Sequence, residues 1–285
     1  MIHSVLFPSD YFNKTIADEE LKAEYEAAKS CEKYCNVILF SYEDWFHGGV
    51  LKLDWTPIEP IDVVYRGWMM LPEQYEKFYH ALKGKNINLV TTPEEYSLFH
   101  VFPNIYEKVQ ADTPKMLIYP QGSKIDLDEI KYTFKRFMVK DYVKSVKGTD
   151  FPVYFDSTVT QEEFDAWMEK FYQYRGSLFT GGICIKEYVD LKKYCERKNE
   201  YRVFYANGQI LTISRNSGQP EYTTQPPKEL IEKYQGLGSS FYTVDYAELE
   251  NGEWIVIEAG DGSVSGLSDF QDYLEFYRKL YYSFL

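Results

Sequence analysis

Two acids near the end of this 285-residue chain have the types and spacing that suggest chemistry. Asp245 stands inside the apolar run Tyr242–Leu249, and Glu258 follows the apolar run Trp254–Ile257. Between the runs lies Asn251-Gly252, the strongest short hairpin signal. If the turn is those two residues, residue i faces residue 503 − i, and Asp245 faces Glu258. Facing carboxylates repel unless a cation lies between them. Mg²⁺, held by one or two carboxylates and phosphate oxygens, suits such a pair. The alternative is a pair of acids on a solvated sheet face.

Cations upstream complement that pair. Lys140 ends the apolar stretch Phe137–Lys140, and a polar loop with Lys144, Lys147, Gly148 and Thr149 follows. A lysine emerging there can act as a point charge on nucleotide phosphates, and the loop amides can cradle the terminal ones. It can equally be a solvated Lys-rich turn. Arg202 lies inside the strand-like run Glu200–Tyr205. Its planar fork suits phosphate or carboxylate, although strand arginines often stretch along the surface. Ile183–Val189 is an apolar strand running into a change of direction. Backbone groups there can read a purine edge between apolar side chains, but any core strand looks similar. Arg66 follows the apolar run Asp62–Tyr65, at the carboxyl end where open α/β sheets bind ligands. It is expected to bind a substrate carboxylate or phosphate, unless it is a surface arginine before a glycine turn. Lys115, after Pro114, is a further cation.

The elements that must position these residues fall into three stretches. Strands over 4–7, 36–40, 62–65 and 87–90 alternate with helices over 17–34 and 72–82. Another helix opens at Thr92-Pro93-Glu94-Glu95, with its cap, first-turn proline and acids. This alternation predicts a largely parallel α/β sheet. From Thr113, strands over 116–119, 136–140 and 182–189 accompany helices over 127–134 and 161–175. The longer helix has Phe164, Trp167, Met168, Phe171 and Tyr172 on one face. The last stretch has two hairpins, around Asn207-Gly208 and Asn251-Gly252, with helices over 226–234 and 269–280. The fold class is therefore α/β followed by α+β.

Composition narrows the function. Hydrophobic residues make up 45% and charged residues 26%, as in ordinary soluble domains. A net charge of −13 argues against a nucleic-acid binder. Cys31, Cys35, Cys184 and Cys195 have no neighbouring histidine in the chain, so they are expected to be idle thiols rather than zinc ligands. The histidines are His3, His47, His80 and His100, all outside the half that carries the proposed chemistry. A Ser-His-Asp hydrolase is therefore poorly supported. Neither a phosphate-binding G-x-x-x-x-G-K-S/T loop nor a dinucleotide-binding G-x-G-x-x-G turn is present. The first residues lack a signal-peptide pattern, and no apolar run is long enough to span a bilayer. A soluble, cytoplasmic protein with no membrane or nucleic-acid partner is expected.

These pieces in this order resemble the ATP-grasp family over about residues 113–267. The resemblance is carried by Lys140 with its loop, Ile183–Val189, Glu200–Val203, Val244–Ala247 and Ile255–Gly262. Val64–Trp68, Thr113-Pro114-Lys115 and Glu258–Gly262 are similar to a phage and bacterial branch distinguished by an arginine and two lysines. The resemblance implies a preceding α/β domain over 1–112 and a two-lobed ATP-grasp domain over 113–285, with lobes of about 113–187 and 188–285. It implies ATP and Mg²⁺ as cofactors. Lys140 would meet the α/β-phosphates and Lys186 the adenine, with Glu187, Tyr188 and Val189 as the hinge. Asp245 and Glu258 would hold Mg²⁺, and Arg202 would face the γ-phosphate or an acyl phosphate. Lys144 and Lys147 would touch phosphates as the loop closes. Many members carry Glu-x-Asn at the metal strand, whereas residue 260 here is Gly, which leaves Asp261 for a second metal. The implied activity is ADP-forming carboxylate–amine ligation through an acyl phosphate, on a small-molecule or peptide substrate. The alternative is a nucleotide-binding regulatory or assembly protein without turnover.

Overall fold

The structure is a computed structural model that describes residues 2–31 and 36–284. Cys35 and the end of the helix expected over 17–34 lie outside them. The first stretch runs β1 (Ile2–Pro8), α1 (Lys22–Lys29), β2 (Asn36–Phe40), α2 (Tyr42–Gly48), β3 (Ile61–Tyr65), α3 (Pro72–Lys83), β4 (Ile87–Leu89), α4 (Pro93–His100) and α5 (Phe102–Val109). Its four strands pair in parallel in the order β2-β1-β3-β4. The near-continuous apolar runs follow from that topology, because helices cover both faces of a parallel sheet. α4 starts as expected: Thr92 accepts from the Glu95 N–H, and Glu95 reaches back to the Thr92 N–H. α1 is shorter than expected, because Ala17 bridges to Ser9 and a 3-10 turn capped by Asp18 intervenes. The periodicity reading missed α2, which Ser41 caps and Gly49 ends at φ +63°.

The second stretch runs β5 (Met116–Pro120), α6 (Leu127–Thr133), β6 (Arg136–Asp141), β7 (Phe155–Asp156), α7 (Gln161–Arg175) and β8 (Gly182–Glu187). The strands form an antiparallel sheet in the order β5-β8-β6-β7. α7 buries Phe164, Met168 and Phe171, while Tyr172 stays exposed. Its apolar stripe is therefore narrower than the five residues expected.

The last stretch runs β9 (Lys193–Tyr194), β10 (Arg197–Lys198), β11 (Glu200–Ala206), β12 (Gln209–Arg215), α8 (Lys228–Lys233), β13 (Phe241–Glu248), β14 (Trp254–Asp261) and α9 (Tyr273–Tyr282). The main sheet is antiparallel, in the order β12-β11-β13-β14. Asn207 and Gly208 both take positive φ (47° and 74°) and form a two-residue turn between β11 and β12.

The β13–β14 turn differs from expectation. Leu249 N–H donates to Glu253 O at 2.8 Å, so the loop is the three residues Glu250-Asn251-Gly252. Near the turn the pairs are Tyr246↔Val256 and Ala247↔Ile255, one residue off the expected register. A bulge that leaves Ile257 unpaired then restores it, so Asp245 does face Glu258. Two departures cancel. One core joins the first and last sheets: Val5, Phe7, Leu39 and Val64 pack with Phe204, Phe241, Phe276 and Leu280. Among the described residues no helix is long and apolar enough to cross a membrane.

Candidate functional site

Arg202, Asp245 and Glu258 lie in register across β11, β13 and β14, so they share one sheet face. The Arg202 fork binds Asp245 bidentately, Nε to Oδ1 at 2.8 Å and Nη2 to Oδ2 at 2.7 Å. Asp245 in turn raises the arginine's already high pKa. Nη1 donates to Gly266 O at 3.0 Å.

The other antiparallel sheet supplies the lysines. The pairs Met138↔Lys186 and Lys140↔Cys184 put Lys140 and Lys186 on one face. Lys140 Nζ lies 3.4 Å from Glu258 Oε1. Lys186 Nζ donates at 2.5 Å to Ile257 O, the carbonyl of the bulged residue. Both ammoniums sit 4.9 Å from the centre of the Phe102 ring, a cation–π arrangement that keeps two like charges close. Burial, and then the neighbouring Lys140 charge, pull Lys186 down to about 7. Burial alone would raise Glu258. Lys140, Lys144, Lys186 and Arg202 outweigh it and hold the carboxyl at about 2.

These residues line a cleft of about 850 Å³, together with Lys147 and the strand end Glu187–Val189. That volume is within the range of small-molecule sites. At the strand end, the Glu187 N–H donates to Lys115 O and the Tyr188 N–H to Arg136 O, both at 2.9 Å. Those two donors are thus spent within the sheet. The loop after β6 is held by Asp141, which is fully buried. Its Oδ1 accepts from the Val143 and Lys144 N–H groups at 2.7 Å, and its Oδ2 from Arg175 Nε at 2.7 Å.

Two expected site residues lie apart from this group. Asp261 pairs with Tyr242 while Glu258 pairs with Asp245, so strand alternation turns them to opposite faces. Asp261 is buried, with Oδ1 accepting from the Ser263 N–H at 2.9 Å and Oδ2 without a partner among the described residues. Burial pushes it up to about 7. Arg66 is 2% exposed. Nε and Nη2 bind Glu24 at 2.8–3.0 Å, and Nη1 binds Gly262 O and Ser265 O. Every guanidinium nitrogen is engaged inside the protein, and Arg66 does not line the cleft.

Three residues near the site were not foreseen. Phe102 and His100 come from the stretch before Thr113 and are delivered by α4 and α5. Nothing local in the sequence marks that approach. Asp141 does carry a signal: an acid right after a strand commonly accepts from the next turn's amides.

Mg²⁺ fits part of this set. Asp245 and Glu258 offer facing hard oxygens, the donor type Mg²⁺ takes alongside phosphates. Among the described residues no group of three or more His, Cys, Asp or Glu is placed to hold a metal ion.

A family model matches residues 128–280, more than half of the chain. It describes an ATP-grasp domain, family 3 of the clade named for one arginine and two lysines. The chain belongs to this ATP-grasp family. ATP and Mg²⁺ are the cofactors that membership brings. The fold of the whole ATP-grasp chain is similar to that of D-cycloserine synthetase DcsG, with TM-score 0.63, 14% identity and coverage of 98% of this chain and 99% of that one. It is also similar to D-alanyl-alanine synthetase A from Vibrio cholerae (TM-score 0.60, 13% identity, coverage 99% and 97%). A third is the ATP-grasp ligase PsnB in complex with a minimal precursor, Mg and ADP (TM-score 0.58, 11% identity, coverage 98% and 97%). No curated protein matches the sequence.

Proposed function

We propose that the protein is an ATP-dependent carboxylate–amine ligase that forms an acyl phosphate and releases ADP. The observation that carries this reading is the convergence of Lys140 and Lys186 from one sheet with Arg202, Asp245 and Glu258 from another across one cleft. Phosphoryl transfer to a carboxylate needs positioning and charge neutralisation rather than an activated side-chain nucleophile, and the cleft is lined with the cations for it. Lys140, with Lys144 and Lys147 of the loop, is assigned to the phosphates. Lys186 and the strand end Glu187–Val189 are assigned to the adenine. Asp245 and Glu258 are assigned to one Mg²⁺, and Arg202 to the γ-phosphate or acyl phosphate. Arg66 is assigned to bracing the loop after β14. The division into a preceding domain over 1–112 and an ATP-grasp domain over 113–285 belongs to this reading, as does a cytoplasmic location. Proteins of similar fold include a synthetase of D-alanyl-alanine and a ligase in complex with a precursor peptide. A small amino acid or a peptide is the corresponding substrate class here.

The test is ADP release from Mg²⁺-ATP in the presence of amino acids and peptides, with nucleotide affinity measured by calorimetry. Turnover that depends on both a carboxylate and an amine is expected. Lys140→Ala should weaken nucleotide binding about tenfold or more while the melting temperature stays within a few degrees; unchanged affinity removes Lys140 from the site.

One observation favours a second reading, nucleotide binding without turnover. Residue 260 is Gly, Asp261 faces away, and both oxygens of Asp245 are held by Arg202. Tight ATP binding with no ADP release across the substrate screen is the outcome that would select it.

A further inference from the structure

Beside the large cleft lies a smaller cavity of about 110 Å³, roomy enough for a small amine. Its wall includes Asp245 and Glu258, Lys144 from the loop, Thr243, Ser265 and His100. His100 is 8% exposed. Its ring stacks on Tyr96 at 4.8 Å and 18°, and Tyr96 stacks on Tyr75 at 3.9 Å and 4°. Tyr96 also donates its hydroxyl to Met70 O at 2.8 Å and accepts from the Met70 N–H at 3.0 Å. The imidazole is thus held in one plane by a fixed stack. Among the described residues no protein hydrogen bond reaches either ring nitrogen, and neither nitrogen is sealed from solvent.

The other acids and bases at this cavity are already engaged. Asp245 is bound through both oxygens by Arg202, and Glu258 is held ionised by four cations. Asp261 has a sealed, unpartnered oxygen, and Lys144 is a cation on the facing loop. We infer that His100 is a further catalytic residue, the group that takes the proton from the attacking amine. This rests on the ligase reading. In that step the amine nitrogen attacks the acyl-phosphate carbonyl carbon. The C–N bond forms, the C–O bond to phosphate breaks, and inorganic phosphate leaves with the electron pair. The nitrogen gives up one proton to the imidazole, which returns it to solvent.

Burial, and then Lys144, push the His100 ring down to about 4, so in the empty protein it is neutral with a lone pair available. An acyl phosphate beside it brings negative charge, which favours the imidazolium. The ring is therefore more basic when the intermediate is present than when the cleft is empty.

The experiment uses the full chain, with His100→Gln and His100→Ala beside the unaltered protein. A panel of amino acids and dipeptides is supplied with Mg²⁺-ATP. Three quantities are read: the melting-temperature shift with Mg²⁺ and a non-hydrolysable ATP analogue, hydroxamate formed with hydroxylamine, and amide formed with amines as pH varies. Hydroxylamine is largely unprotonated at neutral pH, so it reports activation of the carboxylate with little need for a base. Both variants should keep the nucleotide shift and hydroxamate formation within about twofold. Both should lose amide formation by about a hundredfold or more, and added imidazole should restore part of it to His100→Ala. Amide formation within about threefold of the unaltered protein across the pH range overturns the inference alone. Loss of the nucleotide shift in both variants also overturns it, by making His100 a structural residue. If the unaltered protein forms neither ADP nor hydroxamate with any substrate, the ligase reading falls and this inference falls with it.

Discussion

Asp261 illustrates how a residue can be correctly singled out and given the wrong surroundings. Its position at the end of an apolar strand beside a metal-type acid was legible, but a one-residue difference in strand parity turns its carboxylate into the protein. There its pKa is about 7 against an ordinary 3.8. Between those values the folded state holds a proton that the unfolded state has lost. The group therefore contributes its full stability below pH 3.8, and that contribution falls away as the pH rises toward 7. Asp261→Asn keeps the shape without the charge. The variant should gain stability relative to the parent as the pH rises from about 5 to about 8, on the order of a few kcal/mol. Melting temperatures across that range check this, and a difference that does not change with pH rejects it. Comparing the two proteins cancels Lys186, which titrates near 7 in both. Lys140, Lys186, Arg202, Asp245 and Glu258 were readable because each interrupts or ends an apolar strand. His100 was not, because its role depends on a contact made only by the folded chain.

At the scale of elements, strands and capped helices were the legible part, since their signals are local. The Thr92–Glu95 box sets where α4 starts, and the helix carries His100 at its far end to the cavity. The β13–β14 hairpin was read in the right pairing through a wrong turn, because a bulge is invisible to alternation until the register is known. That bulge has a use: its freed carbonyl is the one that anchors Lys186. The loop after β6 has an equally specific anchor in Asp141 and Arg175, whose side chains are 0% and 13% exposed. Arg175→Ala leaves a buried carboxylate with one oxygen unpaired, which costs about 3 kcal/mol. It should also weaken nucleotide binding, because Lys144 takes its place from the same carboxylate. Denaturant unfolding and calorimetry read the two effects. Unchanged affinity in a destabilised variant would detach the loop from the cleft.

Across the whole molecule, the parallel sheet is tied to the last antiparallel sheet by a shared core and by one buried polar knot. Arg66 at the end of β3 binds Glu24 of α1 and two carbonyls after β14, and Tyr277 of α9 donates to the same Glu24 oxygen at 2.6 Å. Sequence order could not reveal this, since Glu24 and Tyr277 are 253 residues apart. Arg66→Met strands a buried carboxylate and should cost about 3–5 kcal/mol, and adding Glu24→Gln should recover part of that. Urea unfolding of the single and double variants measures both; a double variant no more stable than the single would show that the knot is not a coupled unit. The same pairing of opposite charges at the cleft has a consequence for the order of events. Arg202 already cancels Asp245, and Lys140 already neighbours Glu258. A free divalent ion therefore meets no open negative socket. On the proposed reading only a polyphosphate can draw those two cations off the acids, so nucleotide and ion must dock as a single package.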